Sequence, residues 1–311
     1  MYNIVFMGTP DFAANILERM VAEKKYNIVL AVSQPDRPKN RGKKLQPTSV
    51  KVVAERENIP VYQPESVKTE EFYETLKATD ADFFVVVAYG RILTQQVLDI
   101  PKKASVNIHG SLLPEYRGAA PIQRAIIDGK QKTGITTMLM AKECDCGDML
   151  LKAETDIEKY DTYGSLHDKL CALGGELIIK TLDGFDDIHP QKQDDNLATY
   201  ADMIHKDTGK ICWSKNSRET ECLTRGLDPA PGAYTNYGDE VLKIWKCQVL
   251  EDRYEGECGS VITADPKQGL IVKTGDTALK ILEIQAKGGK RMKTEDYLRG
   301  HSIEVGSVLG K

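Results

Sequence analysis

The chain has 311 residues and only seven cysteines, an odd number, with no Cys-x-x-Cys pair. That scatter excludes a disulfide framework. No apolar run approaches the roughly 20 residues needed to cross a bilayer. The first residues enter a strand at once (Asn3-Ile4-Val5-Phe6-Met7) with no basic leader or cleavable apolar segment. The expectation is therefore a cytoplasmic protein with no membrane partner. A glycine-rich dinucleotide fingerprint is also missing, since Gly8 stands alone where G-x-G-x-x-G would be needed. This argues against nicotinamide or flavin chemistry. A formal net charge of −4 argues against generalised polyanion binding but leaves room for a local basic patch. There is no internal repeat and no low-complexity tract.

What is present reads as α/β. A strand at Asn3–Met7, a helix with Phe12, Ile16, Leu17, Met20 and Val21 at helical spacing, and a strand at Ile28–Val32 form a βαβ unit. Such a unit predicts a mostly parallel sheet with right-handed crossovers. Thr9 before Pro10 is placed to cap the helix. Helices are expected at Val50–Arg56, Thr69–Ala78 and Thr162–Leu182, and a short strand at Ile59–Tyr62. Composition changes at 183–196, which is polar and bears Pro and Gly. After it, short strands at Val241–Val249, Gly259–Thr263, Gly269–Thr274 and Ala278–Ile284 suit a small antiparallel barrel. The expected division is 1–188 for a Rossmann-like domain, 189–207 for a linker and 208–311 for the barrel domain.

The stretch Val106 to Pro121 concentrates the chemistry. Asp82–Ala88 and Ala104–Ile108 are nearly continuous apolar strands, suited to a sheet covered on both faces. Asn107 and His109 alternate with apolar neighbours at the end of the second strand, so they share a face. Open α/β sheets place their ligands at such strand ends. An amide donor beside an imidazole is an apparatus for acyl chemistry; the plainer alternative is that both satisfy backbone groups. Asp145 sits in a bend between two later strands, from which its carboxylate can turn toward the sheet end.

Two basic clusters stand out. Arg37, Lys39, Arg41, Lys43 and Lys44 lie in a Pro- and Gly-rich loop with only Asp36 as local counter-charge. Lys287, Lys290, Arg291 and Lys293 surround Gly288-Gly289. Either could be a solvated surface. Together they fit an extended polyanion better than a small substrate, with binding that weakens as salt rises.

Several of these motifs, in register, resemble the 10-formyltetrahydrofolate-dependent formyltransferases. They are Asn107-x-His109, Gly110-Ser111-Leu112-Leu113-Pro114, Arg117-Gly118-Ala119-Ala120-Pro121, Asp145 before Gly147-Asp148, the opening Phe6-Met7-Gly8-Thr9-Pro10, and Pro231-Gly232-Ala233. The resemblance covers essentially the whole chain and is closest to the members acting on methionyl-tRNA. It implies a Rossmann-like domain followed by an OB-like barrel, and Asn107, His109 and Asp145 as catalytic residues. It also implies 10-formyltetrahydrofolate as co-substrate along Ser111, Leu112, Leu113 and Pro114, with no metal and no covalent enzyme intermediate. The acceptor would be initiator methionyl-tRNA, held by the two basic clusters of a monomeric enzyme. Cys146 and Cys212 depart from the family pattern, which shows Thr and Asp there. Sugar-nucleotide N-formyltransferases and formyltetrahydrofolate hydrolases share the Asn/His/Asp trio, so the trio alone does not name the acceptor. From other classes, a non-catalytic nucleic-acid-binding protein and a zinc site on Cys144, Cys146 and His109 are the alternatives.

Overall fold

The computed structural model describes residues 1–39 and 44–311, with Lys39 and Lys44 by their backbone only. Arg41 and Lys43 of the basic loop therefore lie outside the described residues. The chain divides into two compact units, one of Met1–Pro121, Thr133–Thr155 and His167–Ala201, the other of Ile122–Lys132, Asp156–Leu166 and Asp202–Lys311.

In chain order the strands of the first unit are β1 (Tyr2–Gly8), β2 (Tyr26–Val32), a small ribbon of β3 (Arg37–Lys39) and β4 (Lys44–Gln46), and β5 (Val61–Tyr62). There follow β6 (Phe83–Val87), β7 (Ala104–His109), β8 (Arg117–Gly118), β9 (Lys132–Leu139), β10 (Met149–Asp156) and β11 (Tyr200–Ala201). Seven of them form one sheet in the order β10-β9-β7-β6-β1-β2-β5. Pairing is parallel from β5 through β7 and turns antiparallel between β7 and β9. The expected mostly parallel sheet is thus present, with an antiparallel margin beside the site. Every residue of β6 is buried, as a Phe-Phe-Val-Val-Val run demands of a strand covered on both faces. From β1 the chain winds outward in both directions, so the crevice at the carboxyl ends opens near β1, β6 and β7.

The helices α1 (Asp11–Ala22), α2 (Ser49–Arg56), α3 (Glu70–Lys77), α4 (Gln95–Leu98), α5 (Pro121–Ile127) and α6 (Tyr163–Asp183) follow the apolar periodicity. Thr48, Thr69 and Thr94 cap α2, α3 and α4 by accepting from the third backbone N–H beyond them. Thr9 does not cap α1: the N-cap is Pro10, and the Thr9 hydroxyl instead donates to the Tyr89 carbonyl at 3.0 Å. The β3–β4 ribbon departs from the expectation of a plain loop. Pro38 is accommodated because a two-stranded ribbon is all edge, where a missing N–H breaks no interior ladder. The Asp36 carboxylate accepts from Lys51 at 2.8 Å and from Gln63 at 2.7 Å.

The segment expected to be a linker carries structure of its own. Gln191 bridges Met149, Asp195–Leu197 is a 3-10 turn, and β11 pairs in parallel with β8. Composition hid this because the contacts are made by backbone and polar groups.

The second unit contains an antiparallel sheet of β12 (Ala233–Tyr237), β13 (Glu240–Leu250), β14 (Val261–Asp265), β15 (Gly269–Lys273) and β16 (Ala278–Ala286), with β17 (Met292–Lys293) on β16. Helices α7 (Ser217–Gly226) and α8 (Thr294–Gly300) accompany it. Trp213, Leu242, Ile244, Leu270, Val272, Leu279 and Ile281 fill its core. Among the described residues no helix is long and apolar enough to cross a membrane.

Candidate active site

Asn107 and His109 stand on alternate positions at the carboxyl end of β7, opposite Met138 and Thr136 of β9. They are 8% and 6% exposed, so both are buried rather than on open surface. The His109 Nε2 lies 2.8 Å from the Tyr116 carbonyl oxygen. A carbonyl can only accept, so Nε2 carries the hydrogen and donates it. The other ring nitrogen, Nδ1, lies 3.7 Å from the Asp145 Oδ1, too far for a direct hydrogen bond but close enough for strong Coulombic attraction to an imidazolium.

Tyr116 presents its carbonyl this way because its backbone is left-handed, at φ 60°. The conformation is held from β11 and its flank. The Tyr116 N–H donates to the Thr199 hydroxyl at 2.9 Å, and the Arg117 N–H to the Thr199 carbonyl at 2.9 Å. Gly118 comes next, and it packs so closely on Ala201 that a Cβ would sit 2.9 Å from the Ala201 oxygen. Its N–H donates to the Asp145 Oδ2 at 2.9 Å.

Asp145 is itself left-handed, at φ 55°, which a short polar side chain tolerates better than most. Two residues on, a Cβ at Gly147 would lie 1.8 Å from the Leu139 carbonyl oxygen, so only glycine lets this loop return against the sheet. Gln193 closes the arrangement. Its Nε2 donates to the Asp145 and Gly147 carbonyls at 2.8 and 2.9 Å, while its Oε1 accepts from Arg117 Nε at 2.9 Å.

The segment Ser111 to Pro114 is anchored from inside. Thr136 Oγ1 donates to the Ser111 carbonyl at 2.8 Å and accepts from the Leu113 N–H at 3.1 Å. Lys152 donates to the Leu113 carbonyl, and burial pulls the Lys152 ammonium below its usual range. Ser111 and Leu113 are fully buried, the latter against Met138 and Met149. Leu112 and Pro114 keep partial exposure. A ligand beside this loop would therefore meet Leu112, Pro114 and backbone groups. The Ser111 hydroxyl donates to the Glu115 carbonyl at 2.5 Å, and burial pushes the Cys146 thiol up, so neither is prepared as a nucleophile.

The basic residues differ among themselves. Lys287, Lys290, Arg291 and Lys293 lie on one exposed stretch. Arg291, however, grips Asp228 through two bonds of 2.8 and 3.0 Å and Glu283 through one of 2.6 Å. It also lies over the Trp245 ring, 5.1 Å from its centre. Arg37 is exposed, with one bond to Gln34. Tyr116, Thr136, Gln193 and Thr199 escaped the sequence reading, because no motif flags a polar residue whose partner is a backbone group far along the chain. Among the described residues no cluster of three or more His, Cys, Asp or Glu is placed to hold a metal ion.

The fold is an α/β one, a mostly parallel sheet with an amide and an imidazole at one strand end and a carboxylate facing the imidazole from a loop. The model of the formyl transferase family matches residues 2–182, and that of the formyl transferase C-terminal domain matches residues 203–302. The chain is 47% identical to the methionyl-tRNA formyltransferase of Clostridium acetobutylicum, over 99% of this chain and 100% of that one. Identity to the enzymes of the same name from Clostridium novyi and Bacillus subtilis is 50% and 46%, over 98% and 100% of this chain and 99% and 98% of theirs. The chain belongs to the methionyl-tRNA formyltransferase family. Among solved structures, an N-formyltransferase from Helicobacter canadensis aligns with TM-score 0.64 and 17% identity over 94% of this chain and 100% of that one. HypX from Aquifex aeolicus, in complex with tetrahydrofolic acid, aligns with TM-score 0.64 and 14% identity over 99% of this chain and 50% of its own. At such identities these two likenesses speak to the fold.

Proposed function

We propose that this chain transfers the formyl group of 10-formyltetrahydrofolate to the α-amine of initiator methionyl-tRNA, yielding N-formylmethionyl-tRNA for translation initiation. The observation that carries the reading is the His109–Asp145 pair at 3.7 Å beside Asn107 on one strand end. The full-length identity to methionyl-tRNA formyltransferases supports the acceptor. A formyl donor fits the residues present: hydrogen-bond donors and a carboxylate at a strand end, and serine and cysteine neighbours that are unprepared for covalent catalysis. The folate supplies an acyl carbon on a nitrogen able to leave.

The chain's own groups do the rest. Asn107 donates to the formyl oxygen as negative charge develops there. His109 can add a second donor only from Nδ1, since Nε2–H is held by Tyr116. That donor exists only when Nδ1 also carries a hydrogen, and Nδ1 faces the Asp145 carboxylate at 3.7 Å. The amine gives up a proton as its bond to carbon forms, and the leaving nitrogen needs one as the old bond breaks. The Asp145 carboxylate is the base that can hold that proton in between.

In this reading residues 1–188 are the catalytic domain, 189–207 the linker and 208–311 a tRNA-binding domain. Ser111 to Pro114 line the folate, with Ser111 and Leu113 contributing backbone. Arg37, Lys39, Arg41, Lys43 and Lys44 meet one part of the tRNA, and Lys287, Lys290, Arg291 and Lys293 another. The enzyme works as a cytoplasmic monomer. The deciding assay follows formyl transfer to initiator and elongator methionyl-tRNA side by side, with an amino-sugar nucleotide as third acceptor. Preferred transfer to the sugar would overturn the acceptor assignment.

A further inference from the structure

We propose that Gln193 is a positioning residue for Asp145, so that part of the segment 189–207 acts as a strap over the reaction centre. The inference rests on the reaction proposed above. Asp145 sits in a left-handed conformation on a loop whose side-chain environment is half open. Such a conformation persists where neighbouring structure over-determines it. Gln193 provides that restraint. One amide nitrogen takes both flanking carbonyls, of Asp145 at 2.8 Å and of Gly147 at 2.9 Å. The carbonyl end of the same side chain accepts from Arg117 Nε at 2.9 Å.

Arg117 precedes Gly118, whose N–H donates to the Asp145 carboxylate at 2.9 Å. The contacts therefore close a ring running Gln193, Arg117, Gly118, Asp145 and back to Gln193. Inside that ring the Asp145 carboxylate has one orientation, facing His109 Nδ1. The carboxamide is satisfied at both ends, and its own position is fixed by chain neighbours: Gln191 pairs with Met149 and Asp195 binds the Arg117 guanidinium at 2.8 Å. Its amide nitrogen also lies 3.9 Å from the Met138 Sδ on β9, and its bonds to the Asp145 loop are the route by which it acts.

Two full-length variants test this. Gln193→Met removes the hydrogen bonds to Asp145, Gly147 and Arg117. Gln193→Glu keeps the shape and the Arg117 contact but turns an acceptor toward two carbonyls. Both should lower kcat for transfer to methionyl-tRNA by about 10- to 100-fold, the effect of a misplaced catalytic group, and leave KM for tRNA and folate near the wild-type values. In the free protein, the Gly118 amide proton should move toward its position in Asp145→Ala and exchange faster. If Gln193→Met does not fold, both readouts are taken on Gln193→Glu. Wild-type kcat, a loss carried by KM alone, or a fall in kcat with an unmoved Gly118 amide overturns the proposal. A wild-type protein that transfers nothing to methionyl-tRNA sinks the proposed reaction instead, while the Gly118 comparison still decides what Gln193 does.

Discussion

The Nε2 of His109 donates to the carbonyl of Tyr116 at 2.8 Å, and this one bond leaves the other ring nitrogen to face the carboxylate of Asp145 at 3.7 Å. A residue seven positions further along the chain, held left-handed from Thr199, selects the tautomer. Asp145 then faces the free nitrogen.

Loss of the ring or of its counter-charge should be close to total. His109→Ala and Asp145→Ala are each expected to abolish formyl transfer while circular dichroism and melting temperature stay near the wild-type values. Asn107→Ala should retain folate binding and lose about 10²–10³ in kcat, the effect of removing one oxyanion donor. A near-normal rate in His109→Ala would falsify the assignment.

The basic residues should separate into two kinds. Arg41→Ala, Lys43→Ala, Lys287→Ala and Lys290→Ala are expected to weaken tRNA binding and to flatten its dependence on salt. Arg291→Ala should behave differently, because its guanidinium already grips Asp228 and Glu283. Its main effect is a loss of stability of about 1.5–3 kcal/mol from the charge-assisted bonds, read by denaturant melts. If Arg291→Ala instead changes the salt slope at unaltered stability, it is a phosphate ligand like its neighbours.

Acid should act on the second unit through Asp276. Burial works to raise this carboxyl, but donors from the Ser217 and Thr277 backbone and the Ser217 and Thr274 hydroxyls outweigh it and bring it down to about 2. A carboxyl lowered on folding contributes stability that is fully present above its unfolded pKa near 4 and lost as pH falls toward 2. The residue is exposed, so solvent screening limits the contribution to on the order of 1 kcal/mol. Unfolding free energies between pH 5 and 2 should therefore fall less steeply in Asp276→Asn than in wild type; identical slopes would reject the linkage.

Thiol chemistry should single out Cys212. It is exposed, and the Ser214 hydroxyl and backbone lower its pKa. Burial raises Cys171 to about 12, and burial with the Asp145 charge raises the exposed Cys144. Timed alkylation with mass spectrometry at pH 7 should label Cys212 first. Earlier labelling of Cys144 would show that exposure outweighs thiolate character here.

Much of the fold was legible from periodicity alone. The all-apolar Phe83–Val87 run could only be a strand covered on both faces, and the spacing of Phe12, Ile16, Leu17 and Met20 could only be an amphipathic helix. Asn107 and His109 announced themselves because strand alternation is local and puts them on one face. The same rules misread Thr9, whose hydroxyl found the Tyr89 carbonyl instead of a helix end, and composition gave no sign of the contacts made by Gln191, Gln193 and Asp195.

The sequence by itself determined which residues could do chemistry and which elements would carry them, since hydrophobic period, turn residues and side-chain type act over a few positions. Tertiary structure alone decided which nitrogen of His109 is free, which way Asp145 turns, and that Arg291 is already paired. Each of those depends on a partner brought in from 7 to 63 residues away: the Tyr116 carbonyl, the Gly118 N–H and the Asp228 carboxylate. Such groups leave no trace in composition, because every residue carries the same carbonyl and only the folded chain says whose it meets.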